Sequence, residues 1–278
     1  MDTIHHLHHF NIHNVHIAST THITHSNAAS NSALYGSNYL DSLTPPPQID
    51  IATVPKHLFS LCFQYLTITF LLKILFTRLY PLLPPSLLPP LTWLTYAFLS
   101  LKSRTFSLMD NRRPGKRERG QLGWYDREMP KWTPPGVFFP IMWCLIITPL
   151  RATSSTLLHL SLPPPLALSY TKALILHLCI GDMWNAINNV EGRIGLACTT
   201  VLAVLVSAGK AAGVYKGSGV KGAGIILGAT LGWITVATGL VWNTWWINRR
   251  GQEGRRDSLV PMKVRGEETM TKFVWEKR

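Results

Sequence analysis

Apolar residues come in blocks along this chain, separated by polar or proline-rich stretches, and the blocks set the fold class. HLFSLCFQYLTITFLLKILF begins at His57, and LLPPLTWLTYAFLSL follows from Leu87. Between them PLLPPSLLPP, residues 81–90, must interrupt any helix, because proline removes a backbone donor and clashes with the preceding turn. Four clearer segments occupy residues 136–159, 165–187, 194–215 and 222–248. A hydrocarbon core of ~30 Å demands ~20 apolar residues at 1.5 Å per residue. The predicted fold is therefore an all-α membrane protein, a bundle of five transmembrane helices, with a candidate extra N-terminal helix because residues 56–107 supply either one span or two.

The stretches outside the spans complete the organisation. Residues 1–55 are rich in His, Asn, Ser and Thr, and the first Lys or Arg in the chain is Lys56. Such a segment buries too little apolar surface to fold alone and is expected to be disordered. Its histidines are read as part of a polar leader, with no metal site assigned. Residues 108–135 form a basic loop, 136–248 carry helices two to five, and 249–278 are a charged tail.

Composition agrees with the membrane class. The chain of 278 residues is 46% hydrophobic and 15% charged, against roughly 25% charged for a soluble protein. Mean hydropathy is +0.13 even with the polar leader included. A net charge of +13 would suit nucleic acid, but the basic residues lie mostly between apolar runs, which suits anionic lipid and orientation better. With five spans, the loop from Lys102 to Lys131 and the C-terminal tail share one face with the loop 188–193. The opposite face receives HLSLPPP, without Lys or Arg, and YKGSGVK. The basic face is expected to be cytosolic, or its organelle equivalent. Cys62, Cys144, Cys179 and Cys198 sit inside apolar segments without CxxC spacing, as small hydrophobes do.

One stretch concentrates aromatic residues and prolines: WYDREMPKWTPPGVFFPIMW, residues 124–143. Tryptophan and tyrosine prefer the interface, where the ring meets lipid and the polar tip stays wet. Trp124, Tyr125 and Trp132 fall at that level. Pro134 and Pro135 suit a helix start, with Thr133 as a candidate N-cap. Trp143 lies about two turns deeper, either packed between helices or facing a cavity.

On the third span His177, Gly181, Trp184, Asn185 and Asn188 share one helical face. Polar side chains at membrane depth usually face a bundle interior or a wet cavity, so His177 is either a contact between helices or a ligand contact. In the last span Gly224, Gly228 and Gly232 form GxxxGxxxG, the spacing that lets two helix backbones approach, within the bundle or across a dimer. No GxSxG, P-loop, HExxH or paired-carboxylate arrangement is present, so no catalytic residue is assigned.

These motifs resemble the translocator protein family, also known as tryptophan-rich sensory proteins or peripheral-type benzodiazepine receptors (TspO/MBR). The resemblance is carried by Trp124, Tyr125, Pro130, Trp132, Pro134, Pro135, Phe139, Pro140 and Trp143. It continues through Trp184 and Gly195 and through WITVAT from Trp233, so it covers about residues 120–248. The chain departs from the family pattern at Val137, Ile147, Arg151, His177 and Gly181. WNAINNVEGRIG is a form associated with divergent algal-like eukaryotic members.

The resemblance implies a five-helix bundle, often dimeric, whose cavity takes tetrapyrroles, sterols or synthetic aromatic ligands under a loop that here would include residues 108–133. On that basis the ligand-binding candidates are Trp132, Trp143, Trp184, Trp233, His177, Asn185, Tyr125, Pro134 and Pro135. The function it implies is a membrane receptor or transporter for a porphyrin or sterol-like molecule, used for sensing, sequestration or transport. Alternatives are a light-dependent porphyrin-degrading enzyme and a scaffold assembled through the helix-five glycines. No cofactor is obligatory, porphyrin or haem being a candidate ligand. The expected partners are the lipid bilayer and a homodimer mate, and the expected location is an organelle membrane, mitochondrial outer or plastid, or another endomembrane.

Overall fold

The computed structural model describes residues 47–110, 112, 127–249 and 257–276. Among them, five helical runs are long and apolar enough to cross a membrane: Thr53–Leu82, Phe138–Ser161, Pro164–Glu191, Ile194–Gly217 and Ala223–Asn248. The protein is an all-α, multi-pass membrane bundle. A short strand, β1 (Pro47–Ile49), precedes helix α1 (Thr53–Ile74), which continues through a π turn to Leu82. Pro81, Pro84 and Pro85 end that run, and the chain turns back into α2 (Leu88–Lys102), whose first turn holds Pro89 and Pro90. Prolines there cost nothing, since first-turn N–H groups lack internal partners. The region 56–107 thus forms a helical hairpin, tied by Phe76 stacked on Tyr96 and by Gln64 donating to the Ser103 carbonyl. Of the leader 1–55 expected to be disordered, residues 1–46 lie outside the described residues, and in 47–55 Asp50 and Thr53 are buried against partners far along the sequence. 3-10 turns at Pro85–Leu87 and Ser103–Phe106 flank α2 directly and lengthen its run at both ends.

Helix α3 (Phe138–Ser161) begins later than the sequence suggests. Pro134 and Pro135 lie before it, since Thr133 and Pro134 each precede a proline and are held out of the α region. The residue at the helix start is Val137, four positions beyond Thr133, so Thr133 is no N-cap. Inside α3, residues 142–147 widen into a π segment just before Pro149, which has no N–H for the carbonyl four residues back. Helices α4 (Pro164–Asn185, with a π turn to Glu191), α5 (Ile194–Gly217) and α6 (Ala223–Asn248) follow. Neighbours pack in the order α2, α3, α6, α5, α4, α1.

Gly224 and Gly228 face α5 of the same chain. A Cβ on Gly224 would meet the Lys216 backbone, one on Gly228 would sit 3.9 Å from the Ala212 Cβ, and one on Gly232 would meet nothing. We expect Gly224→Leu to lower stability by about 1–3 kcal/mol through overpacking, and Gly232→Leu to leave it unchanged, as read by thermal unfolding in detergent. Equal effects at both positions would show that the seam is not this hairpin.

The C-terminal tail folds back on the bundle. Strand β2 (Met262–Val264) pairs antiparallel with β1, Met109 bridges Phe273, and Trp245 Nε1 donates to the Asp257 carbonyl at 2.7 Å. Gly195 admits this tail, since a Cβ there would collide with the Asp257 and Ser258 backbone. At the centre of the junction Arg193, 1% exposed, donates to Asp50 Oδ2 at 2.6 Å and to Thr53 Oγ1 at 2.7 Å. His57 Nε2 meets Glu191 Oε1 at 2.8 Å beside it, and Thr269 and Thr271 bring hydroxyls from the tail.

Burial alone would raise the Asp50 carboxyl, but the Arg193 guanidinium and the Thr53 and Thr269 hydroxyls outweigh it and hold the group below its ordinary range. Lys56 holds Glu276 down in the same way. A carboxyl depressed in the folded state stabilises fully above its unfolded pKa, roughly 4 for Asp and Glu, and loses that contribution as pH falls through the folded value. A nitroxide at position 265, in a background without the exposed Cys62 and Cys144, should therefore report an immobile tail from about pH 5 to 8 and a mobile one only below about pH 4. Release near neutral pH would mean that these carboxylates do not hold the tail.

Candidate functional site

A cavity of about 300 Å³ opens inside the bundle, walled by five helices, α2 to α6. Helix α1 stands outside it and closes the wall indirectly. Gln64 and Ser103 both donate to Asp182 Oδ2, at 2.7 and 2.6 Å, fixing that carboxylate at the cavity edge. Helix α3 contributes Trp143 and Arg151, eight residues apart. Residues at that spacing share one broad face of a regular helix, and the π segment absorbs one residue, so the pair aligns more closely, as residues seven apart would. The Arg151 guanidinium carbon lies 5.2 Å from the Trp143 ring centroid, in cation–π contact.

Arg151 also donates to His177 Nε2 at 2.7 Å, and His177 Nδ1 lies 3.0 Å from Ser207 Oγ, which itself donates to the Val204 carbonyl at 2.9 Å. A guanidinium can only donate, so His177 Nε2 accepts, its proton sits on Nδ1, and the Nδ1–H donates to the hydroxyl oxygen of Ser207. The chain of bonds runs one way from α3 through α4 to α5. Both imidazole nitrogens are engaged, so an iron bound at His177 would have to displace the Arg151 N–H. Among the described residues no group of three or more His, Cys, Asp or Glu could hold a metal.

The cavity lining is mixed. Arg151, Arg104, Asp182 and His177 are its charged and polar members, Leu178, Val201, Val204 and Ile234 its aliphatic ones, and Trp143 and Trp184 its indoles. Trp184 is held by its Nε1–H donating to the Ala197 carbonyl at 3.1 Å. Asn185 lines the cavity too, with its amide tied to Gly181 and Asn189 on its own helix.

Of the candidates read from the sequence, the structure brings Trp143, Trp184, His177 and Asn185 together. Trp233 lies elsewhere, buried in edge-to-face contact with Phe138 and Phe139 at 5.6 and 5.8 Å. Trp132 is about half exposed, and Pro134 and Pro135 stay in the turn before α3; none of the three lines the cavity. Tyr125, with Trp124, lies outside the described residues. The residues that sequence reasoning passed over are Arg151 and Asp182. Their signal was a lone charge inside an apolar helix, which in a membrane marks a partnered or functional group.

A sequence model of the TspO/MBR family matches residues 107–247. No curated protein matches the chain. Helices of membrane-spanning length around a walled internal cavity define a multi-pass integral membrane protein of the receptor or transporter class. The chain belongs to the TspO/MBR family. The matched region takes in α3 to α6 but neither α1 nor α2, so the hairpin that completes the cavity lies before it.

Proposed function

We propose that the protein binds a rigid aromatic ligand bearing carboxylates, a porphyrin or related tetrapyrrole, in the cavity between α2 and α6, and senses, sequesters or delivers it. The observation that carries this reading is the Trp143–Arg151–His177 arrangement, an aromatic face with a buried guanidinium fixed beside it. Aromatic contacts add about 0.5–1.5 kcal/mol beyond area burial, and a charge-assisted bond to a propionate adds about 1.5–3 kcal/mol. A sterol, with one hydroxyl, would leave Arg151 without the complementary charge that a propionate supplies, while Asp182 is already served by Gln64 and Ser103, so the acidic ligand fits the site better. The volume is at the lower end for drug-sized ligands, so a macrocycle enters with one edge, or fully once α2 moves outward.

The test is protoporphyrin binding to the purified protein in detergent, followed by tryptophan fluorescence quenching, beside a folded Trp143→Ala/Trp184→Ala variant. Saturable quenching in the parent, weakened at least tenfold in the variant, is the expected result. Unsaturable quenching, or equal affinity in both proteins, would overturn the reading. Illuminating the same complex in air separates a carrier, which leaves the porphyrin spectrum intact, from an enzyme that degrades its ligand.

A further inference from the structure

We infer that the outer groove between α1 and α4 is a seat for an anionic phospholipid, with an acyl chain in the groove and the phosphate on Lys73 and Lys172. The groove encloses about 390 Å³, is separate from the central cavity, and is walled by Leu66 and Phe70 of α1 and Leu168 and Ile175 of α4. Leu66 and Phe70 are each more than 60% exposed, so the groove opens to the surface that lipid covers.

Its polar lining is silent. Thr69 and Thr77 donate to the Tyr65 and Lys73 carbonyls at 2.8 and 2.6 Å, and Thr171 donates to the Leu168 carbonyl at 3.2 Å. With those hydroxyls satisfied inside their own helices, the groove presents methyl and methylene surface to an occupant. The exceptions are the two ammonium groups. Lys73 and Lys172 flank the groove, both exposed, and neither ammonium has a hydrogen-bond or ion-pair partner among the described residues. Lys73 lies nine residues before the end of the α1 run at Leu82, and Lys172 eight residues after Pro164. Both therefore sit about 12–14 Å below the same end of the bundle.

Lysines at that depth extend their stems along apolar surface towards the headgroup layer. Two cations at one level on the two walls of an apolar groove match one phosphate beside one acyl chain. A zwitterionic lipid places its own ammonium against them, so the site discriminates for net negative headgroups.

Native mass spectrometry of the full chain, released from micelles containing equal phosphatidylglycerol and phosphatidylcholine of matched chains, reads this directly. The parent should retain phosphatidylglycerol in preference. Lys73→Gln/Lys172→Gln should reduce that preference about tenfold, while Lys210→Gln/Lys216→Gln, of equal charge change, keeps it. Leu66→Trp, which fills the groove, should lower retention of both lipids. Unchanged preference in the first variant, or equal loss in the control, would overturn the assignment. Dimers in place of lipid adducts, abolished by Leu66→Trp, would also overturn it and give the groove to a second copy. Circular dichroism and elution volume identify any variant that fails to fold, and Lys→Arg at both positions, which keeps the charge, should then restore the preference.

Discussion

Arg193→Ala is expected to lower the stability of the folded protein by about 3–5 kcal/mol, the cost of leaving a buried partner charge uncompensated. The guanidinium is 1% exposed, and its partners Asp50 and Thr53 are 0% and 2% exposed. Glu191 also lies beside it, its Oε2 3.6 Å from Arg193 Nε. Removing the arginine takes the only ionic partner from Asp50 among the described residues and leaves Glu191 with His57 alone, where water is scarce. It also releases the elements those groups join: β1, the start of α1 and the turn between α4 and α5. Thermal unfolding in nanodiscs, with the same series repeated for Asp50→Asn, measures the effect. The paired change Arg193→Met/Asp50→Leu should cost less than Arg193→Ala, because only Glu191 is left of the two carboxylates and it keeps its contact with His57. A loss below about 1 kcal/mol for Arg193→Ala, the range of exposed ion pairs, would mean that water reaches this junction and that the tail is not what buries it.

The second large effect concerns ligand choice. Arg151→Met keeps an unbranched stem in place of the arginine and removes the charge beside Trp143. Binding of protoporphyrin should weaken by about 1.5–3 kcal/mol, the worth of a charge-assisted bond, or about ten- to hundredfold. Binding of its dimethyl ester, which has the same ring and no carboxylates, should change little. Fluorescence titration of both ligands against both proteins gives the comparison. Equal loss for acid and ester would show that the arginine shapes the cavity without touching the ligand. No loss for either would show that the guanidinium serves only to orient His177.

Much of the bundle was legible because span length is a one-dimensional property. Apolar runs of adequate length identified α3 to α6, and the prolines between residues 81 and 90 marked the turn of the N-terminal hairpin. The shared face of His177, Gly181, Trp184 and Asn185 was legible for the same reason, since helical periodicity fixes direction within one helix. Direction between helices is not so encoded. Trp233 and Trp132 look like cavity residues by type, yet one turns towards Phe138 and Phe139 and the other towards the surface. Trp143 and Arg151, eight residues apart, are brought into line by a π segment that the sequence does not announce. The junction at Arg193 was beyond reach, because Asp50 and Arg193 stand 143 residues apart and each reads alone as an ordinary loop charge.

The place where α2 ends has a consequence for entry. Ser100, Ser103 and Arg104 line the central cavity where α2 gives way to its closing 3-10 turn, Ser103–Phe106. The cavity is thus open to groups at the level of a helix end, well away from the middle of the bundle. An amphiphile with its acidic groups in the headgroups and its ring in the chains would meet the cavity there by a short sideways step, with no need to carry carboxylates through the bilayer centre.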